Sequence, residues 1–477
     1  MKRETKLLKN TAILSIGLIC TKGVSFLLLP LYTALLSTAD YGTFDFIYTL
    51  VSLVAYTLTL QFEQGVFRYL IDCRGDKEAQ KKYISTTFAF IGAISLIGII
   101  ISLVVCRLTH FEYTLYFVLS ILTTVFNSIT CQIARGIDRT VDYTIGSFIF
   151  ATSQVVLNVL FIVVFKWHVG GLLTSFIIGN ILCTAFLFVK CKIFGFFSLK
   201  SLDKSCLTEL LKYSLPMVPS TLGWWLVNYS DRIIILHFLG AGANGIYAVA
   251  NKFPTAFSSV SRMFQLSWSE NAAEANSSTD RDNYFSKIMN QSICVIIYLS
   301  ACIIAILPFV FSILINKNYA ESYLNIMILL VAAIFSVWAN LYNSVFGALK
   351  YTKIIALTTV FAAIVNIGVN LAFINKIGLF AASVSTLCAY LVITVISHII
   401  IIKKVKIKYV ATDLILAFSA LGAGCAAYCI RNVLLSLIIT IAIGLLTLIK
   451  NKNIIIMLTN RIKGLIRKKS PSDKNEK

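Results

Sequence analysis

The segment at residues 36–44 reads L-S-T-A-D-Y-G-T-F, and a related segment at 239–247 reads L-G-A-G-A-N-G-I-Y. The two lie 203 residues apart, and each joins an odd-numbered apolar run to an even-numbered one. We call such a pair of similar segments an echo. A second echo aligns L-N-V-L-F at 157–161 with V-N-L-A-F at 369–373. Because both echoes keep the same order and nearly the same offset, they predict that the chain contains two copies of one unit.

Apolar runs long enough to cross about 30 Å of hydrocarbon as helices surround these segments. Fourteen such runs begin near residues 11, 44, 83, 112, 143, 169, 209, 245, 284, 321, 353, 378, 411 and 433. Six spans followed by six more with equal topology predict two parallel lobes, as in alternating-access transporters. We expect an N-lobe of helices 1–6 at residues 1–197 and a C-lobe of helices 7–12 at 198–402. Residues 403–477 would then hold helices 13 and 14 and a basic tail.

Composition excludes a soluble protein, since 58% of the residues are apolar, 13% are charged and the mean hydropathy is +0.84. The net charge of +21 would suit a nucleic-acid-binding protein. However, 32 of the 42 Lys and Arg residues lie in alternate loops and the termini, and only 5 lie in the opposite loops. Because cytoplasmic segments retain positive charge, the pattern predicts that both termini are cytoplasmic and argues against nucleic acid as a partner.

Charged residues inside the predicted spans are candidates for function, because each costs at least about 2.5 kcal/mol near the bilayer centre. Lys22 lies about 18 Å into the first helix, near the midplane, on the same face as Thr11 and Ser15. Lys252 and Arg262 share one polar face of the eighth helix. Two opposed cationic faces would suit a pyrophosphate, since Arg and Lys both bind phosphate oxygens. Pairing with carboxylates of neighbouring helices is the structural alternative.

Four further charges occur in the second and seventh helices. Arg68 is a candidate headgroup contact, although it lies near a helix end where it can extend to water. Glu63 could pair with Lys22 or carry a coupling proton. Asp231 and Arg232 are adjacent and therefore about 100° apart on a helix, which predicts a separate partner for each. We expect Asp231 to be an ion-coupling candidate and Arg232 a substrate contact.

Neighbouring aromatic and amide side chains extend the predicted site, while metal and catalytic signatures are absent from the sequence. Trp224 and Asn228 lie one to two turns before Asp231, where an indole could stack on sugar rings or simply pack between helices. The 12 cysteines form no CxxC motif and the 4 histidines no HExxH motif. We therefore expect no catalytic residues, no metal and no cofactor, and a protein that is not an enzyme.

Short motifs along the chain suggest a family. They are K-N-T-A at 9–12, L-P-L-Y-T at 29–33, Y-G-T-F-D at 41–45, G-V-F-R-Y at 65–69, S-D-R at 230–232 and G-I-Y-A-V-A-N-K at 245–252. Together they resemble Wzx-type O-antigen flippases of the multidrug, oligosaccharidyl-lipid and polysaccharide (MOP) exporter superfamily. The resemblance implies an all-α integral membrane fold of about fourteen helices. It further implies two six-helix lobes, MATE/MurJ-like, around a central cationic cavity, plus two extra C-terminal helices.

The resemblance also implies a function and a location. The substrate would be an undecaprenyl-pyrophosphate-linked oligosaccharide, moved from the cytoplasmic to the periplasmic leaflet of the bacterial inner membrane by alternating access, with ion coupling left open. Membrane lipids and the polymerase and chain-length regulator of the same pathway are the expected partners.

Several alternatives stay open at this point. A lipid II flippase or a multidrug exporter belongs to the same superfamily, and the exporter should have a net acidic cavity. From a different class, an O-antigen polymerase should have a large periplasmic loop and an acyltransferase an intramembrane His.

Overall fold

A computed structural model describes residue 26 and residues 28–276, 278–349 and 351–450 of the protein. These residues form α-helices, short 3₁₀ turns and one π turn, with no strand among them. The helices are α1 (Leu29–Leu35), α2 (Thr38–Thr59), α3 (Phe62–Asp72), α4 (Lys77–Leu108), α5 (Thr114–Gly136), α6 (Thr140–Val159), α7 (His168–Lys190), α8 (Lys204–Ser214), α9 (Val218–Ala275), α10 (Arg281–Leu314), α11 (Ser322–Ala348), α12 (Thr352–Ile377), α13 (Phe380–Ile401), α14 (Ala411–Ile430) and α15 (Val433–Lys450).

Helix α9 is two membrane crossings joined at a glycine. Gly240 has φ 84° and ψ 177°, a conformation outside the helical region that glycine adopts most readily. The hydroxyl of Tyr247 donates to Asp231 Oδ2 at 2.7 Å, although 16 residues separate the two and a straight helix would place them about 24 Å apart. The chain therefore folds back at Gly240 into two segments, which we call α9a (218–239) and α9b (241–275).

The number of crossings agrees with the sequence-based prediction as far as the structure extends. Twelve helices in the described residues are long and apolar enough to cross a membrane, and one of them contains both α9a and α9b. Counting that helix twice gives thirteen crossings. The first predicted span, which starts near residue 11, lies outside the described residues except for its last part, including α1. The all-α membrane fold is confirmed.

The second span is interrupted, which the sequence did not predict. Helices α2 and α3 are separated by Leu60 and Gln61, whose φ angles are 47° and 61°. Two successive non-glycine residues in the left-handed region are unusual, and only surrounding contacts can hold them there. The break places Glu63 and Arg68 on α3 and changes which way their side chains point relative to α2.

Loops from alternate connections meet at two opposite ends of the molecule. At one end, the Tyr319 hydroxyl donates to the carbonyl oxygens of Leu36 and Ser37 at 3.2 and 3.0 Å, and His168 Nδ1 lies 3.4 Å from Asp40 Oδ2. We call this the closed end, because residues 36–45 there also contact residues 239–247, as described below.

At the opposite end, which we call the basic end, lie the loops at 73–76, 136–139, 191–203, 278–280 and 402–410, together with residues 276, 349 and 351. Arg74 Nε donates to the Gly136 carbonyl oxygen at 2.9 Å, and the Asn276 amide donates to the Ala348 carbonyl oxygen at 3.3 Å. These loops hold most of the loop Lys and Arg residues, so the predicted alternation of charge corresponds to two physical ends of the fold.

Both sequence echoes correspond to equivalent structural positions. Gly42 and Gly245, which align at the 203-residue offset, lie against each other. In the second echo, Asn158 donates to the Tyr32 hydroxyl at 2.7 Å and Asn370 donates to Asp231 Oδ1 at 2.9 Å. In each half, the asparagine of the fifth helix bonds the first helix of the same half, which is the internal symmetry that the repeat predicted.

Helices α14 and α15 pack on the outside of α10. A Cβ atom at Gly424 would lie 2.8 Å from the Ala301 carbonyl oxygen, so α14 approaches α10 at backbone distance. Near the end of α14, the Tyr428 ring stacks on Tyr323 with centroids 4.1 Å apart. The two helices are therefore additions to one side of the C-terminal half.

Candidate functional site between the lobes

Polar and aromatic side chains line one side of α2 along its length. Asp45, Tyr48, Ser52 and Tyr56 recur at intervals of three or four residues, which places them on one helix face. Tyr48 and Tyr56 are each 41% exposed. This face is directed at α9a and α9b, so it forms the N-lobe side of the contact between the two halves.

At the closed end the backbones of the two halves touch. A Cβ atom at Gly42 would collide with the Ala241 carbonyl oxygen, and one at Gly245 would collide with the Thr38 carbonyl oxygen. Thr38 and Ala241 align with each other in the repeat, so the contact is reciprocal. The side chain of Asn244 adds a hydrogen bond of 2.8 Å to the Gly42 carbonyl oxygen. Only glycine permits this approach, which explains why both copies of the repeated motif contain a glycine at this position.

An ion pair joins the lobes next to this glycine contact. Arg232 Nε lies 2.7 Å from Asp45 Oδ2, and the two side chains are only 8% and 14% exposed. The guanidinium also lies over the Tyr229 ring, 5.0 Å from its centroid. Two turns further along, Trp225 Nε1 donates to Ser52 Oγ at 2.9 Å. Arg232, predicted to contact substrate, is therefore engaged in holding the lobes together in this state.

Lys252 and Arg262 lie on α9b at different distances from the closed end. Lys252 Nζ lies 5.9 Å from the centroid of the Tyr41 ring, so its charged end is beside the Gly42 contact, whereas Arg262 is exposed farther toward the basic end. Among the described residues, neither cation has a carboxylate within ion-pair distance. Over the same range, segments 53–68 and 252–262 share no hydrogen bond or ion pair. The polar contacts that join the lobes thus lie at the closed end and within two turns of it, and none is formed between these two segments.

Asp231 is enclosed within the C-terminal half. It is 1% exposed and accepts three hydrogen bonds: from Tyr247 at 2.7 Å, from Asn370 at 2.9 Å and from Thr386 at 2.8 Å. The donors come from α9b, α12 and α13, so a single carboxylate ties together three helices. Asp231 and Arg232 have separate partners, as their angular separation on the helix predicted.

The remaining predicted residues occupy different surroundings. Glu63 is buried, and its Oε2 has no hydrogen-bond partner among the described residues. Arg68 is exposed and pairs with Asp72 on the same helix. Lys22 lies outside the described residues, so its predicted pairing with Glu63 stays a prediction.

Trp224 and Asn228 contact residues of the C-terminal half, where Trp224 is half-buried and Asn228 is exposed. Asn228 donates to the Trp224 carbonyl oxygen at 2.7 Å and accepts from the Tyr390 hydroxyl at 2.9 Å. The Trp224 ring packs with the cluster around Val227. The neighbouring Trp225, which the sequence analysis did not select, is the indole that faces α2.

The sequence indicated the charged residues of the site more often than the residues that they contact. Asp45 stands in the quoted Y-G-T-F-D motif, and as an acid inside a membrane helix it met the rule that selected the other charges. Asn370 stands in the second echo, also without an assigned role. Tyr247 and Thr386 carried no signal of their own, since uncharged hydroxyls are common in membrane helices.

Comparison with known proteins agrees with this architecture. The family described as "Polysaccharide biosynthesis protein" matches residues 7–269. The chain is 24% identical over 254 residues to Lsg locus putative protein 1 of Haemophilus influenzae, a match that covers 51% of this chain and 60% of that protein. An uncharacterized membrane protein of the same organism is 24% identical over 253 residues, which cover 51% and 59%. The chain spans about three fifths of the length of these curated relatives.

Solved structures show the same fold at low sequence identity. The lipid II flippase MurJ in an inward closed conformation superposes with a TM-score of 0.67 at 15% identity, over 94% of this chain and 100% of that one. An inward-facing multidrug resistance MATE family transporter gives 0.60 at 14% identity, over 81% and 94%. A MOP superfamily transporter from Pyrococcus furiosus gives 0.53 at 14% identity, over 82% and 95%.

The resemblance read from the sequence is therefore confirmed at the level of family and fold. The family match covers more than half of the chain, and the structural neighbours share its lobed helical architecture. The chain belongs to the polysaccharide biosynthesis protein family and has the membrane-transporter fold of the MOP superfamily.

Proposed function

We propose that the protein is a flippase that moves undecaprenyl-pyrophosphate-linked O-antigen or polysaccharide repeat units from the cytoplasmic to the periplasmic leaflet of a bacterial inner membrane. The observation that carries this proposal is the pair of cations on α9b at the lobe interface, Lys252 beside the closed end and Arg262 farther toward the basic end; neither has a carboxylate within ion-pair distance among the described residues. The adjoining face of α2 carries the exposed rings of Tyr48 and Tyr56. Cations supply charge for phosphates, and aromatic faces can stack on sugars.

Alternating access gives the cations their role. A glycan with many hydroxyls and two phosphates cannot cross hydrocarbon without polar partners, because each unsatisfied polar group costs several kcal/mol. With both termini cytoplasmic, as the charge alternation predicts, the closed end is periplasmic. The part of the lobe interface without hydrogen bonds or ion pairs then opens to the cytoplasm. The structure then represents the state that receives substrate from the inner leaflet.

The membrane potential would assist outward movement. Moving one negative charge outward across a membrane with an inside-negative potential of 100 mV is favoured by about 2.3 kcal/mol. A pyrophosphate headgroup would experience this force at each turnover. Lys252 and Arg262 need only hold the headgroup within the gap, because stronger binding in the cytoplasm-facing state would oppose release on the other side.

Ion coupling is assigned to Asp231 in this proposal, with Glu63 as a second candidate. Asp231 joins α9a to α9b, α12 and α13 through three donors. Binding of a proton or a small cation at its carboxylate would remove or redirect those hydrogen bonds and change the packing of four helix segments. Glu63 lies next to the α2–α3 break, where a change in its charge would act on a hinge.

The test is complementation of a strain that lacks its O-antigen flippase, scored by long-chain lipopolysaccharide. Wild-type protein should restore the long chains, and the double variant Lys252→Gln/Arg262→Gln should lose most of this activity at equal expression. The matched control Lys166→Gln/Lys376→Gln removes the same charge from exposed positions at the closed end, one in a loop and one in the last turn of α12, and should retain activity. Full activity of the first variant would remove the support for a cationic substrate path.

Two further assays separate the alternatives. A lipid II flippase would rescue a strain depleted of that activity instead, and a multidrug exporter would lower the accumulation of organic cations. A membrane polymerase or acyltransferase would form a new covalent product from lipid-linked substrate in purified form. We expect none of these three results.

A further inference from the structure

The connection from α13 to α14, residues 402–410, begins with a turn and continues without regular secondary structure; we call it the lysine strap. Val405 and Ile407 are buried, and Lys404, Lys406 and Lys408 are exposed. This alternation of exposure places the three lysines in a row on the outer side of the strap, and the two apolar residues anchor its inner side.

Polar side chains of α10 hold the strap backbone in place. Three hydrogen bonds are formed: Lys406 N–H to Asp282 Oδ2 at 3.2 Å, Lys408 N–H to Ser286 Oγ at 2.9 Å, and Val410 N–H to Asn290 Oδ1 at 3.1 Å. The acceptors recur every four residues, so they lie along one face of α10. The strap therefore runs alongside the first turns of α10, and each lysine lies at a different depth along the helix axis.

The positive charge of the row is not neutralised by ion pairs. Among the described residues, Lys404, Lys406 and Lys408 have no carboxylate within ion-pair distance. Asp282, the acid closest to the strap backbone, is paired with Arg281 at 2.9 Å. Lys404 Nζ lies over the Tyr351 ring, 5.3 Å from its centroid, which fixes its position without cancelling its charge. The row is therefore available to an anionic partner from outside the chain.

The ends of two crossing helices show the level at which the strap lies. It connects the end of α13 to the start of α14, and both helices are long and apolar enough to cross a membrane. The Tyr409 hydroxyl is 2.7 Å from that of the buried Tyr342, which anchors the end of the strap to the core of the C-terminal half. Because a crossing helix ends at the membrane boundary, the lysines between these two ends stand at headgroup level.

We infer that the lysine strap is a binding site for anionic phospholipid headgroups in the leaflet at the basic end. A backbone that is already fixed presents three ammonium groups to lipid phosphates without first having to order a loop. The site is separate from the lobe interface, so this inference goes beyond the proposed transport function and does not depend on it.

The experiment compares lipid binding to purified full-length protein by native mass spectrometry, with phosphatidylglycerol and phosphatidylcholine titrated separately. Wild-type protein should bind phosphatidylglycerol more tightly. The triple variant Lys404→Gln/Lys406→Gln/Lys408→Gln should lose about fivefold affinity per lysine, or roughly a hundredfold in total. Inorganic phosphate at the same concentration should not compete, since the lipid tail contributes to binding at the membrane boundary.

A matched control tests whether the tight binding of phosphatidylglycerol depends on the arrangement of the strap lysines or only on the total positive charge. The triple variant Lys190→Gln/Lys192→Gln/Lys200→Gln removes the same charge from exposed positions at the same end. These three lysines do not lie on the segment whose backbone is hydrogen-bonded to α10. It should keep the tight phosphatidylglycerol binding. Equal losses in both triple variants, equal binding of the two lipids by wild type, or unchanged binding in the strap variant would each overturn the inference. The thermal unfolding midpoint in lipid-free detergent shows that each variant is folded before titration.

Discussion

Helix α2 and the two segments of α9 meet very differently at their two ends. At the closed end, Gly42 and Gly245 bring backbones into contact, and Asp45 and Arg232 form a shielded ion pair. Toward the basic end, the same helices are not joined by any hydrogen bond or ion pair between segments 53–68 and 252–262 of the described chain. A carrier needs such a difference, because a contact that closes one side has to be able to exchange with a contact on the other.

The ion pair should be the strongest single determinant of the closed end. Replacing one partner of a buried pair leaves an uncompensated charge, which costs about 3–5 kcal/mol. Asp45→Asn should therefore shift the equilibrium strongly toward forms in which the closed end is open. Spin labels at residues 35 and 313, placed in a cysteine-free background, would report this shift as a longer distance between the two halves.

A charge exchange provides the control for the ion pair. The double variant Asp45→Arg/Arg232→Asp keeps both charges and should recover part of the short distance. If Asp45→Asn alone leaves the distance distribution unchanged, the pair does not hold the closed end, and the glycine contact alone would account for it.

The glycine contact should have the next largest effect. Gly42→Ala adds one methyl group that collides with the Ala241 carbonyl oxygen, and overpacking of this kind costs about 1–3 kcal/mol. The same spin-label distance should lengthen, and complementation should fall. Gly92→Ala is the matched control, because a Cβ atom at Gly92 has open space around it. Equal behaviour of the two variants would contradict a backbone contact at the closed end.

The closed end could be identified from the sequence because a close approach of two backbones requires glycine, whereas other contacts require no particular residue. Two backbones can approach this closely only where a side chain is missing, so the repeat kept Gly42 and Gly245 and made both visible. The count and order of the spans were predictable for a similar reason, since the hydrocarbon sets the length of each apolar run.

Contacts between distant residues were not predictable in the same way. Lys252 and Arg262 were selected as charges in a membrane span, but nothing local showed that Arg232 would meet Asp45 187 residues away. The break at Leu60 and Gln61 has no glycine or proline to announce it, because tertiary contacts hold those two residues in the left-handed region. Trp225 rather than Trp224 is the indole that bonds α2, because one residue on a helix changes the direction by about 100°; the substrate contact expected of Trp224 stays a prediction.

The hydrogen bond between Trp225 and Ser52 lies between the closed end and the basic end. Its loss should change the closed-end distance less than the loss of either closed-end contact. Trp225→Phe removes the hydrogen bond from Nε1 to Ser52 Oγ, and a typical bond of this kind contributes about 0.5–1.5 kcal/mol. The closed-end distance should broaden slightly without a new main population. Trp224→Phe is the natural comparison, because that ring packs against residues of the C-terminal half and should leave the distance unaltered. A larger change from Trp224→Phe would place the wrong indole at the interface.

Arg68 should have the smallest effect on the structure and so offers the clearest separation of binding from folding. Its pair with Asp72 lies on one exposed helix face, where water screens the two charges and the pair adds little to stability. Arg68→Gln should therefore leave both the thermal unfolding midpoint and the closed-end distance unchanged. If Arg68 contacts the headgroup at the basic end, as proposed from the sequence, the rate of flipping in reconstituted vesicles should still fall. A normal rate would restrict the phosphate contacts to residues deeper in the interface, with Lys252 and Arg262 the first to examine.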